Sequence, residues 1–181
     1  MTDVTTQNPS LTTVESPAHK NYFGLLLLVS VIIIALDRIT KLLVVKHLSL
    51  GATHTVIPGV FRISHVLNTG AAFSAFADSA SPLAVRNGLI LFSIIAVLIV
   101  GWMLFRVRHE ISLTSFALAL ILGGAIGNLY DRAVYHFVID FLEVTIIRYH
   151  WPDFNVADSA IVVGACLLMI ELFRPQASEQ T

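Results

Sequence analysis

Charge and cysteine are both scarce in this chain. Only 13% of its 181 residues are Asp, Glu, Lys or Arg, while 56% are apolar and the mean hydropathy is +0.80. Those values exclude an ordinary water-soluble domain and indicate an integral membrane protein of one domain. A single cysteine, Cys166, excludes an intrachain disulfide. Its place inside an apolar run makes it read as a small buried hydrophobe rather than a nucleophile or metal ligand. The formal charge of -1 gives no electrostatic reason to expect a nucleic-acid partner. The seven histidines have no i, i+4 pairing and no cysteine partners. No metal site is therefore indicated, and the absence of a glycine-rich phosphate loop leaves no cofactor to expect.

What the chain has is long apolar runs. Four approach the roughly 20 residues needed to cross a bilayer: Tyr22 to Val45, Asn87 to Phe105, Ile111 to Tyr130 and Val156 to Phe173. The expected fold is an all-α membrane protein of four transmembrane helices, with residues 21–174 as the membrane domain. The polar stretch 1–20 reads as a disordered leader and 175–181 as a tail, since neither carries enough apolar surface to offset ordering entropy. No small-residue cleavage pattern follows the first run, so it reads as a retained helix rather than a removed signal peptide. The charged turn Arg106 to Glu110 is short enough to make the second and third helices antiparallel neighbours.

Four spans put both termini on one side and the two longer connections together on the other. In the first connection Phe61, Ile63, His65 and Leu67 alternate with Arg62, Ser64 and Val66, a strand period, with Pro58-Gly59 as its entry turn. The run from Asn68 to Phe73 turns the chain, and a short amphipathic stretch to about Asp78 reads as an interfacial helix. The second connection, Ala133 to Asn155, is rich in aromatic residues that suit the headgroup layer. A small β-like cradle on the face opposite the termini is the expectation. The cation count does not orient the chain. Lys20, Arg106, Arg108 and Arg174 lie on the side of the termini, against Arg38, Lys41, Lys46, Arg62, Arg86, Arg132 and Arg148 on the other, the reverse of the usual bias if the termini are cytoplasmic.

The informative residues are the few acids at the edges of the apolar runs. A carboxylate at membrane depth costs about 2.5 to 3.5 kcal/mol on insertion scales, so such residues are kept for a use. Asp140 sits between Val138-Ile139 and Phe141-Leu142, where an acid needs a partner or a raised pKa. Asp158 follows Asn155 by three residues. That spacing fits a helix N-cap with a first-turn carboxylate favoured by the helix dipole, and it equally fits one half of a proton-sharing pair. Glu143 is the rival second carboxylate, but its place near Arg148 favours a solvated structural role. Asn128, Asp131 and Arg132 stand at i, i+3 and i+4 on the end of the third helix, where a hydrogen-bonded cluster with Asp131 held ionised by Arg132 reads as a brace. Asp37 and Lys41 form an i, i+4 pair. Gly123, Gly124 and Gly127 permit close helix approach. Asn68 reads as a turn cap or a contact to a substrate backbone.

In order along the chain, Asp37-Arg38-Ile39-Thr40-Lys41, Asn68 to Phe73, Gly123 to Arg132, Val138-Ile139-Asp140-Phe141 and Phe154-Asn155-Val156-Ala157-Asp158 lie between four apolar runs. Together they resemble the lipoprotein signal peptidase family (signal peptidase II). The resemblance covers nearly all of the chain after the leader, and five ordered motifs make it specific. It implies an aspartic endopeptidase of the bacterial inner membrane that removes the signal peptide from diacylglyceryl-modified prolipoproteins just before the lipidated cysteine. It implies cytoplasmic termini, a site near the periplasmic face and Asp140 with Asp158 as the catalytic pair. Asp37, Lys41, Asn68, Gly124, Asn128, Asp131, Arg132, Asn155 and Ala157 then bind substrate or support the site. Membrane lipid and globomycin-type inhibitors are implied as further partners, with no metal and no cofactor. Arg38 departs from the pattern, standing where many members carry glutamine.

Two other readings compete. A serine and lysine hydrolase using Ser64 or Ser74 with Lys41 leaves Asp140 and Asp158 unexplained. A proton- or cation-coupled transporter would use the same intramembrane aspartates, but no inverted repeat is evident.

Overall fold

The computed structural model describes residues 20–70 and 82–174. The leader, the tail, the end of the Asn68 to Phe73 motif and the expected interfacial helix near Asp78 lie outside the described residues. Four helices and four strands follow in the order α1 (Phe23–His47), β1 (Thr53–Ile57), β2 (Phe61–Asn68), α2 (Pro82–Arg106), α3 (Leu113–Val134), β3 (Val138–Ile146), β4 (Tyr149–His150) and α4 (Val156–Leu172). Among the described residues three helices, Phe23–His47, Leu83–Arg106 and Leu113–Val134, are long and apolar enough to cross a membrane. The fourth has 17 residues. At 1.5 Å per residue it reaches about 25 Å, the short end of the spanning range.

Local chemistry sets the helix starts. Ser112 and Ser115 form a reciprocal capping box at the head of α3, and Asn155 and Asp158 form another at the head of α4. Each satisfies amide hydrogens that a helix start otherwise leaves bare. At the other end, Tyr22 N donates to Arg108 O at 2.9 Å, which ties the start of α1 to the turn between α2 and α3.

Helix α3 is the central element and packs against α1, α2 and α4. Small residues allow the approach. A Cβ on Gly123 would stand 2.8 Å from Ser30 O of α1, and one on Gly124 would run into Ala157 O and Ile161 of α4. Gly164 does the same from the α4 side, where a Cβ would lie 2.7 Å from Ala117 O. Close helix packing is thus the use of these glycines. Leu26, Leu104, Leu118, Ala119 and Leu122 fill the core among α1, α2 and α3. The outer faces carry exposed apolar side chains such as Leu28, Ile39, Phe92, Leu98 and Val162, the pattern of surfaces meant for lipid. Cys166 is on such a face, exposed rather than buried, because an apolar helix at the outside of a small bundle has more apolar positions than the core accepts.

Both long connections meet in one antiparallel sheet, ordered β1-β2-β3-β4. The pairing of β2 with β3 puts them at the same end of the bundle, as the four-run count requires. Gly59 takes φ +74 in the turn from β1 to β2, the conformation glycine permits. Strand β2 matches the alternating run, but its two-residue period breaks at a bulge. Ile63 pairs with Leu142 and Val66 with Asp140, so two residues of β2 face one of β3. Ser64 and His65 are consequently both buried. The first four residues of β3 are all buried as well.

Candidate active site

Asp140 and Asp158 arrive from different elements and are held by one asparagine. Phe154 bridges to Leu142, donating to Leu142 O at 3.1 Å and accepting from Leu142 N at 2.8 Å, which delivers the next residue beside β3. That residue, Asn155, is fully buried. Its Nδ2 donates to Asp140 Oδ1 at 2.7 Å, while its Oδ1 accepts from Asp158 N at 2.9 Å. Asp158 returns the cap by accepting from Asn155 N at 3.2 Å. The sequence identified Asn155 as a cap; its grip on Asp140 had no signal in the local spacing.

Each carboxylate takes a second amide. Asn68 Nδ2 donates to Asp140 Oδ2 at 3.0 Å, and Asn128 Nδ2 donates to Asp158 Oδ1 at 2.7 Å. Asn68 also accepts from Gly70 N at 2.9 Å, so it is both the turn residue and an arm of the site. Asp140 is 2% exposed. Burial pushes its carboxyl up to about 6. The Asn68 and Asn155 hydrogen bonds and the Lys41 charge oppose that rise, and the neighbouring Asp158 charge adds to it. Asp158 is half-buried and opens onto a cavity of about 420 Å³ between α2, α3 and α4. Leu89, Phe92, Ala96 and Ala125 line that cavity with apolar surface, and Asn128, Arg132 and Asp158 are among its polar lining residues.

Behind the pair lies a buried ion network. Lys41, 0% exposed, places Nζ 2.7 Å from Asp37 Oδ2 and 2.7 Å from Asp131 Oδ2. Asp37 Oδ1 accepts from Ala157 N at 3.0 Å, tying α1 to the first turn of α4. Arg38 Nη1 donates to Asp131 Oδ1 at 3.2 Å and its other arm to the Tyr135 hydroxyl. The guanidinium lies over both the Tyr130 and Tyr135 rings, 5.1 and 4.8 Å from their centroids. Tyr135 had no signal in the sequence. A Cβ on Gly127 would stand 3.0 Å from Asp37 Oδ2, so that glycine leaves room for the network.

Three sequence readings change. The cation on Asp131 is not Arg132 but Lys41 together with Arg38. Adjacent helix residues point about 100° apart, so Asp131 faces α1 while Arg132 reaches Asn128 O at 3.4 Å and the cavity. Glu143 pairs with Arg62 across the strands and lies 3.3 Å from His150, rather than with Arg148. It is buried, not solvated, because the β2–β3 register sets Arg62 opposite it. Among the described residues no group of three or more His, Cys, Asp or Glu is arranged to hold a metal ion.

Known proteins are similar to this chain in sequence and in fold. The lipoprotein signal peptidase of Solibacter usitatus is 46% identical over 148 residues, which span 82% of this chain and 90% of that relative. The lipoprotein signal peptidase of Burkholderia mallei is 42% identical over 146 residues, 81% of this chain and 86% of the relative. Two solved bacterial membrane enzymes superpose with TM-scores of 0.77 and 0.75 at 28% and 27% identity. They cover 87% and 90% of this chain and 99% and 96% of their own. The transporter reading draws no support from these likenesses. The sequence model of signal peptidase (SPase) II matches residues 29–174, from the first apolar run to the end of the last helix. With relatives of this identity along nearly their whole length and the same bundle in solved membrane enzymes, the chain belongs to the signal peptidase II family.

Proposed function

We propose that the protein is an aspartic endopeptidase that removes the signal peptide from diacylglyceryl-modified prolipoproteins, cutting just before the lipidated cysteine. The observation that carries this reading is the Asn155 amide, which binds Asp140 on one side and the first turn bearing Asp158 on the other. Asp140, buried with its carboxyl pushed up to about 6, is the member to which this reading assigns the proton. Asp158 stands at the N-terminus of α4, where the helix dipole and a backbone amide favour negative charge.

In the proposed reaction Asp158 takes a proton from a water, and the hydroxide equivalent attacks the scissile carbonyl carbon. Asp140 gives its proton to the carbonyl oxygen as the tetrahedral centre forms. Collapse of that centre breaks the C–N bond. The proton acquired by Asp158 goes to the leaving nitrogen and the oxyanion's proton returns to Asp140, so no covalent enzyme intermediate arises. The apolar cavity ending at Asp158 accommodates substrate chain or acyl groups, and a lipopeptide inhibitor of the globomycin type would occupy the same space. Acyl chains in the bilayer hold the scissile bond at one depth, which replaces a bulk search by a positioned encounter.

The accompanying topology has four spans, both termini cytoplasmic and the sheet on the periplasmic side of a bacterial inner membrane. The reversed cation count weakens once pairing is counted. Arg38 and Lys41 are consumed by Asp131 and Asp37, and Arg62 by Glu143. Purified protein in detergent should cleave a diacylated precursor and leave its unmodified form intact. Cleavage of both forms alike would remove the lipid from the recognition. With Cys166 replaced by Ser, a thiol placed at Thr53 should react with an impermeant reagent in intact spheroplasts, and one at His109 should not. The opposite pattern would reverse the orientation.

A further inference from the structure

The sheet ends in a feature that the catalytic site does not use. Asn68 and Asp140 mark the site end of β2 and β3, and the strands run from there to two turns, Ile57 to Phe61 and Ile146 to Tyr149. Thr145 N donates to Val60 O at 2.8 Å, so the two turns lie side by side. From Asp140 to Ile146 the rise of about 3.3 Å per residue puts them roughly 20 Å from the dyad.

This double tip is apolar. Ile57, Val60, Ile146, Tyr149 and Trp151 are each about half exposed or more, and Ile147 is 95% exposed. Ile147 also takes φ +61, a left-handed conformation that a β-branched residue adopts only at a cost. Glycine or asparagine would satisfy that turn without strain and without an isoleucine side chain in water. The chain therefore keeps, at one position, both a strained backbone and an unburied hydrophobe. Beside it stand the exposed cation Arg148 and the edge-to-face pair Tyr149 and Trp151, with ring centroids 6.2 Å apart. Aliphatic tip, aromatic pair and exposed cation are the components that seat in a lipid headgroup layer, where amphipathic rings prefer the interface and an arginine meets phosphate. Two acids stand behind these residues. Glu143 is held by Arg62, and Asp153 is half-buried with its carboxyl pushed up by burial, so neither presents a fully solvated charge to repel anionic lipid.

The surface is also continuous with the lipid-facing helices. Leu43 of α1, about half exposed, shares a groove of about 410 Å³ with His54 of β1 and Ile63 of β2, so the apolar flank of α1 runs onto the sheet. We propose that the paired turns dip into the lipid surface of the membrane that the helices span, giving the sheet a second mount. The dyad end is fixed by α1, α3 and α4, and the far end by lipid. A sheet held at both ends keeps Asn68 and Asp140 at one height over the bilayer.

The chain has two tryptophans, Trp102 and Trp151. A Trp102→Phe variant therefore reports on the tip alone, and Trp102 lies on the outer face of α2, away from the dyad. In liposomes, Trp151 emission should fall when the lipids carry bromine near the headgroup, and acrylamide in the water should quench it poorly. Adding Ile147→Asp should reverse both effects while the protein stays folded. Ile147→Gly should raise the Tm in detergent, because it relieves the strained turn, yet weaken quenching by brominated lipid. Trp151 that is insensitive to brominated lipid and open to acrylamide would overturn the proposal. Shielding from acrylamide that grows with protein concentration and ignores bromine would overturn it too, and would assign the tip to a second copy of the chain.

Discussion

Replacing Asp140 by Asn tests the candidate dyad through stability as well as rate. Burial that pushes the carboxyl up to about 6 from its ordinary 3.8 makes ionised Asp140 a burden on the fold. At about 1.36 kcal/mol for each pH unit of difference, the burden is roughly 3 kcal/mol at pH 8. The sign follows from proton binding. Between pH 3.8 and 6 the folded state holds a proton that the unfolded state has released, so stability rises as pH falls through that window. At pH 5 the remaining burden is about 1.5 kcal/mol. An asparagine in this place carries no charge to bury, but its own NH2 must face one of the two amide donors from Asn68 and Asn155. That mismatch costs about 1 to 3 kcal/mol and does not depend on pH. The variant should thus be as stable as the parent or more so at pH 8, and should lose about 1.5 kcal/mol of that advantage by pH 5. It should cleave nothing at either pH. Thermal unfolding in detergent across pH 5 to 8, with cleavage of a lipidated precursor assayed in parallel, provides both readouts. A stability loss that is equal at all pH values would refute the account of Asp140 as a buried, proton-holding acid. Cleavage near the parental rate would refute its role in the reaction.

Three further outcomes follow from the same contacts. Asn68→Lys would set a cation against Asp140 Oδ2, hold that carboxyl ionised and so move the alkaline fall of activity to lower pH; a pH profile identical to the parent's would separate Asn68 from the chemistry. Gly124→Ala should push α3 from α4 at Ala157 and lower stability by about 1 to 3 kcal/mol, with cleavage falling alongside; a Tm equal to the parent's would show that the helices give way freely. Lys41→Met leaves two buried carboxylates without their shared cation and should be the most damaging of these changes, by about 3 to 5 kcal/mol. Adding Asp131→Asn to it should recover part of the loss, and thermal unfolding of the single and double variants decides whether it does.

The helices were legible because their apolar runs are long, and their ends came within a few residues of the runs read from sequence. The sheet was half legible. β2 was visible because Phe61, Ile63, His65 and Leu67 alternate in sequence with Arg62, Ser64 and Val66, although burial does not follow that alternation past the bulge, whereas Val138 to Phe141 is buried throughout and has no alternation to read. β1, exposed along its whole length, carried no burial pattern to read. The candidate site was legible as five motifs but not as a set of contacts. Asp37 with Lys41 and Asn155 with Asp158 are local pairs, and both form as their spacing indicates. Pairs made across elements were misassigned: sequence adjacency suggested Arg132 for Asp131 and Arg148 for Glu143, and folding supplied Lys41 with Arg38, and Arg62.

Those cross-element pairs divide the polar residues of the bundle into two groups with different chemistry. Asp37 and Asp131 meet the cations Lys41 and Arg38, so two negative and two positive charges close on themselves. Among the described residues, Asp140 and Asp158 receive their hydrogen bonds from amides: Asn68 and Asn155 for one, Asn128 and the backbone of Asn155 for the other. The distinction matters for the proposed reaction. A cation in direct contact fixes a carboxylate in its ionised form, which suits a brace that must never change. An amide fixes the position of a carboxyl whether or not it carries a proton, because the oxygen it binds has a lone pair to offer in either state. A pair that passes a proton back and forth needs fixed position and free charge at once. The scarce charges of this sequence are placed accordingly: cations where α1 must be locked to α3, asparagines where the proposed reaction moves a proton.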